Sequence, residues 1–196
     1  MNRPKIILAS TSSYRRQLLE RLALPFSVVN PNVDEIAIPG ESPEDLVGRL
    51  AKAKAQAVAA LNPGAVVIGS DQVAVIAGEI TGKPGNHSVA MGQLRRASGK
   101  EVVFLTGLCC YTAGEIEDEF QLSVVPFRVV FRTLTDEKIE RYLKLDQPYD
   151  CAGSFKSEGL GIVLFERMIG DDPSALMGLP LIKLTTMLGH AGVLVV

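Results

Sequence analysis

An acid and a lysine near the middle of the chain are spaced so that they could together hold a metal ion and a phosphate group. Asp71 follows an apolar run at 65–68, which predicts a buried strand, and a Gly69-Ser70 pair, which predicts a turn after that strand. Ligands of open α/β sheets bind at the carboxyl ends of strands. Lys83 lies in a Gly-Lys-Pro turn beyond a predicted hairpin. The alternative is that Asp71 only caps a turn and Lys83 is a solvated charge, since acids are common in such turns.

Two arginines occupy the first turn of a predicted helix, where the helix dipole disfavours cations. The helix begins near Ser13, after a short apolar strand at 5–9, and Arg15 and Arg16 follow at once. Each cation there costs roughly 0.3–1 kcal/mol, which a bound anion would offset. Hydroxyl groups, backbone N–H groups and two guanidinium groups would then converge on one phosphate-sized site. The alternative is two solvated surface arginines, and a Walker loop is excluded because no GxxxxGK[ST] sequence occurs.

The second predicted helix carries two lysines on different sides. It begins after Ser42, an N-cap that is followed by proline and acids, and it ends at Asn62-Pro63. Lys52 and Lys54 point about 200° apart on this helix. At most one of them can therefore face a shared site, and the alternative for both is a solvated helix face.

Strands and helices alternate in the first half of the chain, and a long hairpin follows. The other elements, predicted from apolar periodicity and from caps, are a strand at 26–30, a helix at 86–98 closed by Gly99, strands at 101–111 and 120–132 joined by a turn at 112–115, a helix from Thr135 to Leu145, a strand at 162–165, a turn at 170–173 and a helix at 180–188. This order predicts an α/β fold with a mixed sheet, bent into two lobes around a cleft and flanked by helices.

The composition excludes several classes of function. The chain has 196 residues, of which 47% are hydrophobic and 21% charged, and this suits one domain with a packed core. The net charge of -2 argues against a general nucleic-acid-binding protein. The three cysteines form no CxxC pair, which indicates reduced thiols, and the two distant histidines give little support to a histidine metal site. Neither a signal peptide nor an apolar run of membrane length is found, so we expect a cytoplasmic protein.

Segments spread over nearly the whole chain together resemble the Maf nucleoside triphosphate pyrophosphatases. These segments are Leu8–Arg16, Val33–Glu35, Arg49–Ala55, Gly69–Gln72, Gly82–Pro84, Ala152–Phe155 and Gly178–Pro180. Gln72 and the Ser-Phe-Lys-Ser-Glu segment that ends at Glu158 resemble the YceF-like branch of the family, which acts on 7-methyl-GTP. The chain departs from the family at Ser13, where Pro is usual, and at Tyr14, where close relatives have Trp.

The resemblance implies an ITPase-like fold in which residues 1–196 form a single domain, with two lobes around one active-site cleft. It also implies hydrolysis of a nucleoside triphosphate to a monophosphate and diphosphate. A divalent cation, Mg²⁺ or Mn²⁺, is the implied cofactor, and a homodimer is the implied assembly. We expect no nucleic-acid partner and no membrane partner.

The resemblance also implies roles for individual residues. Asp71 is the implied proton acceptor and, together with Glu35, a ligand of the metal, and such oxygen ligands suit Mg²⁺ and Mn²⁺. The implied phosphate-binding residues are Ser10, Arg15, Arg16, Lys54 and Lys83. The implied specificity residues are Tyr14, Gln72 and Glu158.

The chemistry of 7-methylguanine agrees with these specificity positions. Methylation makes the base cationic, and the aromatic face of Tyr14 attracts a cation by roughly 0.5–2 kcal/mol. The carboxylate of Glu158 could accept hydrogen bonds from the N1–H and the amino group of guanine. Two alternatives remain open: a pyrophosphatase of the sister branch, which acts on dTTP and UTP, and a non-catalytic nucleotide-binding regulator of cell division.

Overall fold

A computed structural model describes residues 4–114 and 118–196, which divide into two compact units. Unit 1 contains the described residues of Met1–Asp71, Thr106–Val125 and Gly178–Val196, and unit 2 contains Gln72–Leu105 and Pro126–Met177. The turn predicted at 112–115 lies partly outside the described residues.

The described strands form a seven-stranded sheet. They are β1 (Ile6–Ala9), β2 (Phe26–Val29), β3 (Val66–Ile76), β4 (Glu79–Thr81), β5 (Glu101–Thr112), β6 (Glu119–Phe131) and β7 (Phe165–Ile169). Their order is β2-β1-β3-β5-β6-β7, with β4 paired to β3 beside this path. β1 pairs in parallel with β2 and β3, whereas β3 with β4 and β6 with β7 are antiparallel pairs. The prediction of an α/β fold with a mixed sheet is confirmed.

Six α-helices and one 3-10 helix accompany the sheet in the residues that the structure describes. They are α1 (Ser13–Glu20), α2 (Pro43–Ala59), α3 (His87–Ala97), α4 (Asp136–Asp146), the 3-10 helix Leu160–Leu164, α5 (Pro173–Leu176) and α6 (Leu181–His190). The side chains of Ser12, Ser42, Asn86 and Thr135 accept a backbone N–H from the first turns of α1 to α4. These caps satisfy donors that a helix leaves without internal partners, which explains why the predicted starts agree with the structure.

The turn predicted at Gly69-Ser70 is wrong, because β3 continues through both residues. The glycine serves a different purpose: a Cβ atom on Gly69 would lie 2.1 Å from the carbonyl oxygen of Ala51 in α2. Gly107 in β5 has the same relation to the carbonyl oxygen of Val47, also at 2.1 Å. Glycine at both positions therefore lets the backbone of α2 approach the sheet closely.

Each unit has its own apolar core. In unit 1, small and branched side chains of α2, β1, β3 and β5 pack together, among them Ile7, Ala51, Ala55, Val67 and Cys109. In unit 2, the rings of Phe104, Phe131, Phe155 and Phe165 meet edge to face, with centroids 4.8–5.7 Å apart. Such aromatic pairs are worth about 0.5–1.5 kcal/mol each beyond the area that they bury.

The strand predicted at 162–165 is also wrong, since residues 160–164 form the 3-10 helix and β7 begins only at Phe165. The backbone N–H groups of Gly159 and Gly161 both donate to the carbonyl oxygen of Lys156, at 3.2 and 3.0 Å. A Cβ atom on Gly161 would lie 2.4 Å from that oxygen. The backbone therefore turns tightly at the Lys156 carbonyl. The apolar run at 162–165 does not indicate this turn, because the turn depends on the glycines that precede the run.

Helix α5 has only four residues and was not predicted, because so short a segment shows no periodicity. No helix within the described residues is long and apolar enough to cross a membrane. The cysteines are free thiols, and burial raises the pKa of both Cys109 and Cys110 to about 12.

Candidate active site

Asp71 lies within β3, at the point where the parallel part of the sheet ends. The parallel register of β1 with β3 runs as far as Ala9 opposite Gly69, two residues before Asp71. The antiparallel register of β3 with β4 begins at Ala74. The expected position of Asp71 after the end of its own strand is thus wrong, because β3 continues to Ile76. Asp71 is only 7% exposed, so its carboxylate requires a partner.

That partner is Lys54 of α2, which is only 4% exposed. Its ammonium group donates to Asp71 Oδ1 and also lies 2.6 Å from Glu35 Oε1, the same distance as to Asp71. Lys52 instead places its ammonium group 3.6 Å from the ring centroid of Phe120. The expectation that at most one of the two lysines faces a shared site agrees with this arrangement. Glu35, Lys54 and Asp71 are the centre of the candidate site in unit 1.

Arg15 is the second cation of this group. Its Nε–H donates to the backbone carbonyl of Gly178 at 2.8 Å, and the buried Ser70 hydroxyl lies 2.8 Å from the same carbonyl oxygen. Burial lowers the pKa of the Arg15 guanidinium from its ordinary value, and the negative charges of Asp71 and Glu35 counteract this effect. An arginine remains protonated throughout the physiological range. Arg15 is therefore a fixed positive charge in the field of both carboxylates.

The two arginines of α1 do not share a partner. Arg16 is exposed, and its Nε–H donates to Glu20 Oε1 at 3.0 Å. It also borders an open depression of about 400 Å³ together with Leu24, Phe26 and other residues of unit 1. The convergence of both guanidinium groups on one site, which the dipole argument predicted, is thus not seen, although a phosphate-binding role for Arg16 stays a prediction.

Residues at the start of α1 are arranged around the chain turn that precedes it. The buried Ser10 hydroxyl accepts the backbone N–H of Ser12 at 3.1 Å. The Ser12 hydroxyl in turn accepts the N–H of Arg15 at 3.4 Å and so caps the helix. Tyr14 is half-buried in the same turn. This side-chain cap orders the first turn of α1, from which the Arg15 side chain extends.

In unit 2, Gln72 is bound to the end of α5. Its amide nitrogen donates to the carbonyl oxygens of Ala175 at 2.7 Å and Leu176 at 3.2 Å. Side-chain donors commonly bind carbonyl groups at the end of a helix, and Gln72 is such a donor at the end of α5. Sequence reasoning missed this contact because α5 was not predicted.

Lys83 and Glu158 are exposed on two loops of unit 2. The Lys83 turn is held on either side, because Gln93 donates to the Gly82 carbonyl at 3.2 Å and the Gly85 N–H donates to Tyr149 O at 2.9 Å. These bonds order the backbone of the turn while the lysine side chain faces solvent.

The Glu158 loop is anchored at Phe155, which belongs to the aromatic core, and at Lys156. The Lys156 N–H donates to the Tyr142 hydroxyl at 3.1 Å, and the Lys156 ammonium donates to the Asp146 carbonyl at 2.8 Å. Tyr142 donates to the Asp146 carboxylate, and burial together with that carboxylate raises the pKa of Tyr142. The backbone of the loop is thus anchored at Lys156, two residues before Glu158, although the Glu158 side chain is exposed.

The donor set fits a metal ion whose coordination is completed by the substrate. Within the described ranges 4–114 and 118–196, no group of three or more His, Cys, Asp or Glu side chains could hold a metal. Glu35 and Asp71 nevertheless place two carboxylates close together, each 2.6 Å from the Lys54 ammonium group. Mg²⁺ is typically bound by one or two carboxylates together with substrate phosphates and water, rather than by a cage of protein ligands.

Comparison with known proteins identifies the family. The sequence model of the Maf-like proteins matches residues 5–191, and the chain therefore belongs to the Maf family, as the resemblance predicted. A protein of Nitrosococcus oceani named 7-methyl-GTP pyrophosphatase is 54% identical over 189 residues, which cover 96% of this chain and 94% of that protein.

Another relative and one solved structure are also similar to this chain. A protein of Methylobacillus flagellatus with the same name is 54% identical over 190 residues, or 97% of this chain and 98% of that protein. Among solved structures, the Ham1 protein of Staphylococcus aureus is 16% identical with a TM-score of 0.43, over 65% of this chain and 71% of that chain.

Proposed function

We propose that this protein hydrolyses 7-methyl-GTP to 7-methyl-GMP and diphosphate, by attack of water at the α-phosphorus. The observation that carries the proposal is the buried Lys54 ammonium group between Asp71 and Glu35, 2.6 Å from each carboxylate. The names of the two relatives described above, each 54% identical over nearly the whole chain, support the choice of substrate.

Asp71 is the proton acceptor in this proposal. A carboxylate within hydrogen-bond reach of the attacking water would orient the water and take its proton as the new P–O bond forms. The burial of Asp71 and the hydrogen bond from the Lys54 ammonium group fix the direction of the Asp71 carboxylate.

The cations stabilise the charge that develops during the reaction. Attack at the α-phosphorus places negative charge on the non-bridging oxygens and on the departing diphosphate, so catalysis depends mainly on positioning and on electrostatic stabilisation. Arg15, Lys54 and Lys83 would bind these oxygens, with Arg16 and Ser10 as further phosphate ligands. Mg²⁺ or Mn²⁺, held by Glu35 and Asp71, would neutralise phosphate charge when bound.

The 7-methylguanine base would be recognised by one uncharged aromatic side chain and one carboxylate. Tyr14 would stack on the cationic ring, and the Glu158 carboxylate would accept hydrogen bonds from the N1–H and the amino group. A uracil ring would present an acceptor to the same carboxylate, which disfavours UTP. The Gln72 amide nitrogen already donates to two carbonyl groups of α5, so we propose that Gln72 acts mainly by fixing its surroundings.

Residues 1–196 act in this proposal as one functional domain, which works as a homodimer. A cytoplasmic location is also proposed, because three free thiols suit a reducing compartment.

The test is the release of diphosphate from 7-methyl-GTP, GTP, dTTP and UTP, with and without Mn²⁺. We expect the highest kcat/KM for 7-methyl-GTP and dependence on the cation. Higher kcat/KM for dTTP or UTP would assign the protein to the sister activity. Tight nucleotide binding without release of diphosphate from any of the four would indicate a non-catalytic regulator.

A further inference from the structure

The segment that carries Glu35 contains neither helix nor strand. It extends from the end of β2 to the start of α2, and residues 34–40 are exposed. Its two isoleucines, Ile36 and Ile38, are 74% and 55% exposed, so burial of apolar surface contributes little to its order. Fixing a backbone residue costs about 1–2 kcal/mol. The placement of Glu35 at 2.6 Å from Lys54 therefore requires other anchors.

One anchor is a two-pronged ion pair between Arg49 of α2 and Glu41. Arg49 Nε donates to Glu41 Oε1 at 2.6 Å, and Arg49 Nη2 donates to Glu41 Oε2 at 2.8 Å. Such paired bonds fix direction as well as distance. The Glu41 side chain is only 8% exposed, which distinguishes this pair from the solvated pairs that contribute little. Arg49 also holds the pKa of Glu41 below its ordinary value.

The same guanidinium group reaches the residue next to Glu35. Arg49 Nη2 also donates to the carbonyl oxygen of Ile36 at 3.1 Å. Glu41 in turn accepts the N–H of Ile38 at 3.1 Å and donates its own N–H to the Ile38 carbonyl at 3.0 Å. The backbone from Ile36 to Glu41 is thus tied to one side chain of α2.

Helix α2 therefore presents two cations to one segment. Lys54 lies five residues after Arg49 on the same helix, and it contacts the Glu35 carboxylate, whereas Arg49 contacts the following carbonyl group. A helix is stiff over this distance, so the position of Arg49 restricts where the Glu35 carboxylate can lie.

We propose that Arg49 and Glu41 are positioning residues, which hold the Glu35 carboxylate where it can bind the divalent cation. The inference depends on the proposed function in one respect, namely that Glu35 is a metal ligand. Neither residue touches the reacting atoms, so their loss should weaken binding of the cation rather than slow the reaction once the cation is bound. Partners that orient metal ligands typically contribute 10–100-fold to metal affinity.

The experiment measures binding of Mn²⁺ alone to the full chain, from the electron paramagnetic resonance signal of free Mn²⁺. The variants are Arg49→Lys and Glu41→Gln, which remove the two-pronged geometry, and Glu35→Gln, which removes the ligand. Arg95→Lys is the matched control, because Arg95 makes a similar two-pronged pair with Asp136 in unit 2, at 2.8 and 3.0 Å. Thermal unfolding confirms that each variant is folded.

We expect Arg49→Lys and Glu41→Gln to raise the Kd for Mn²⁺ about tenfold or more. Glu35→Gln should raise it at least as much, and Arg95→Lys should leave it unchanged. With 7-methyl-GTP, both positioning variants should need more Mn²⁺ for half activation, with kcat within about twofold of wild type at saturating Mn²⁺.

An unchanged Kd in folded Arg49→Lys and Glu41→Gln would overturn the proposal, and so would the absence of Mn²⁺ binding to the wild-type protein. An equal change in Arg95→Lys would also overturn it, because the effect would then be general. The binding measurement does not require turnover. If the wild-type protein binds Mn²⁺ through Glu35 but releases no diphosphate, the proposed function fails while the positioning role stands.

Discussion

The buried site residues of unit 1 and the exposed site residues of unit 2 differ in how they are held. In unit 1, Asp71 and Lys54 are buried and bonded directly to one another, and Arg15 is bonded to the Gly178 carbonyl. In unit 2, Lys83 and Glu158 are exposed, and only the backbone of their loops is anchored. Asp71, Lys54 and Arg15 are thus fixed before any ligand arrives. The side chains of Lys83 and Glu158 keep their freedom.

This difference has an energetic reason. Groups that act on developing charge are most effective when they are already oriented in a site of low dielectric constant, because no reorganisation is then needed during the reaction. An exposed lysine or glutamate retains its hydration and its rotamer freedom. Both are lost on binding, so only a ligand whose contacts offset this loss is bound. Substitution of the buried Asp71 should therefore change kcat most, and substitution of the exposed Lys83 and Glu158 should change the binding and the choice of substrate.

The largest effect is expected for Asp71→Asn. The amide cannot accept a proton, and Lys54 keeps Glu35 as its partner, so the variant should fold but lose about 10²–10⁴ in kcat. Steady-state release of diphosphate at saturating 7-methyl-GTP measures this loss. Asp136→Asn, which changes an exposed carboxylate of unit 2, is the control. A kcat within tenfold of wild type would assign the proton acceptor to another residue.

The next effect is expected for Arg15→Ala and Lys83→Ala. Each removes a cation that we assign to the phosphates, and hydrogen bonds to charged groups contribute about 1.5–3 kcal/mol. Affinity for a non-hydrolysable triphosphate should therefore fall about 10- to 150-fold, and affinity for the monophosphate much less.

Calorimetric titration with both nucleotides measures this difference. The exposed Lys100 provides a control for loss of charge, as Lys100→Ala. In Arg15→Ala, the Ser70 hydroxyl still contacts the Gly178 carbonyl, so the chain there should keep its position. Equal losses for the two nucleotides would show that Arg15 and Lys83 do not bind the β- and γ-phosphates.

A smaller effect, on selectivity, is expected for Glu158→Gln. The change removes the negative partner of the cationic base and places a donor where an acceptor is needed, at a cost of about 1–3 kcal/mol. We expect kcat/KM for 7-methyl-GTP to fall about tenfold or more, with a rise in relative activity on UTP. Glu166→Gln, at an exposed position in β7, is the matched control. An unchanged ratio of the two activities would remove the physical basis for choosing 7-methyl-GTP over UTP.

The smallest effect is expected for Tyr14→Trp. Indole attracts a cation more strongly than phenol does, and the gain at a half-buried position is about 0.5–1 kcal/mol, or two- to fivefold in kcat/KM for 7-methyl-GTP. Activity on GTP, whose guanine base is uncharged, should change less, which makes the ratio of the two activities the informative measurement. A matching gain on GTP would indicate added apolar contact rather than attraction of the cationic ring.

Much of the local structure could be predicted from the sequence. Helix starts at Ser42, Asn86 and Thr135 agree with the structure, because a capping side chain bonds to backbone groups only two or three residues away. The two wrong predictions are the turn at Gly69-Ser70 and the strand at 162–165, which directly follows Gly161. Gly69 makes a close backbone contact with α2, and Gly161 makes one with the nearby Lys156. A glycine in the sequence does not show whether it permits a turn or a close approach.

The sequence by itself determined which residue types were available for chemistry and where most helices begin, since both depend on neighbours in the chain. Only the tertiary structure decided that Lys54 joins Asp71 and Glu35 while Lys52 lies over Phe120, and that Arg15 and Arg16 have separate partners. The physical reason is that α2 packs on the sheet through the close contact at Gly69 and Gly107. That contact selects which face of the helix is buried, and it joins residues far apart in the chain.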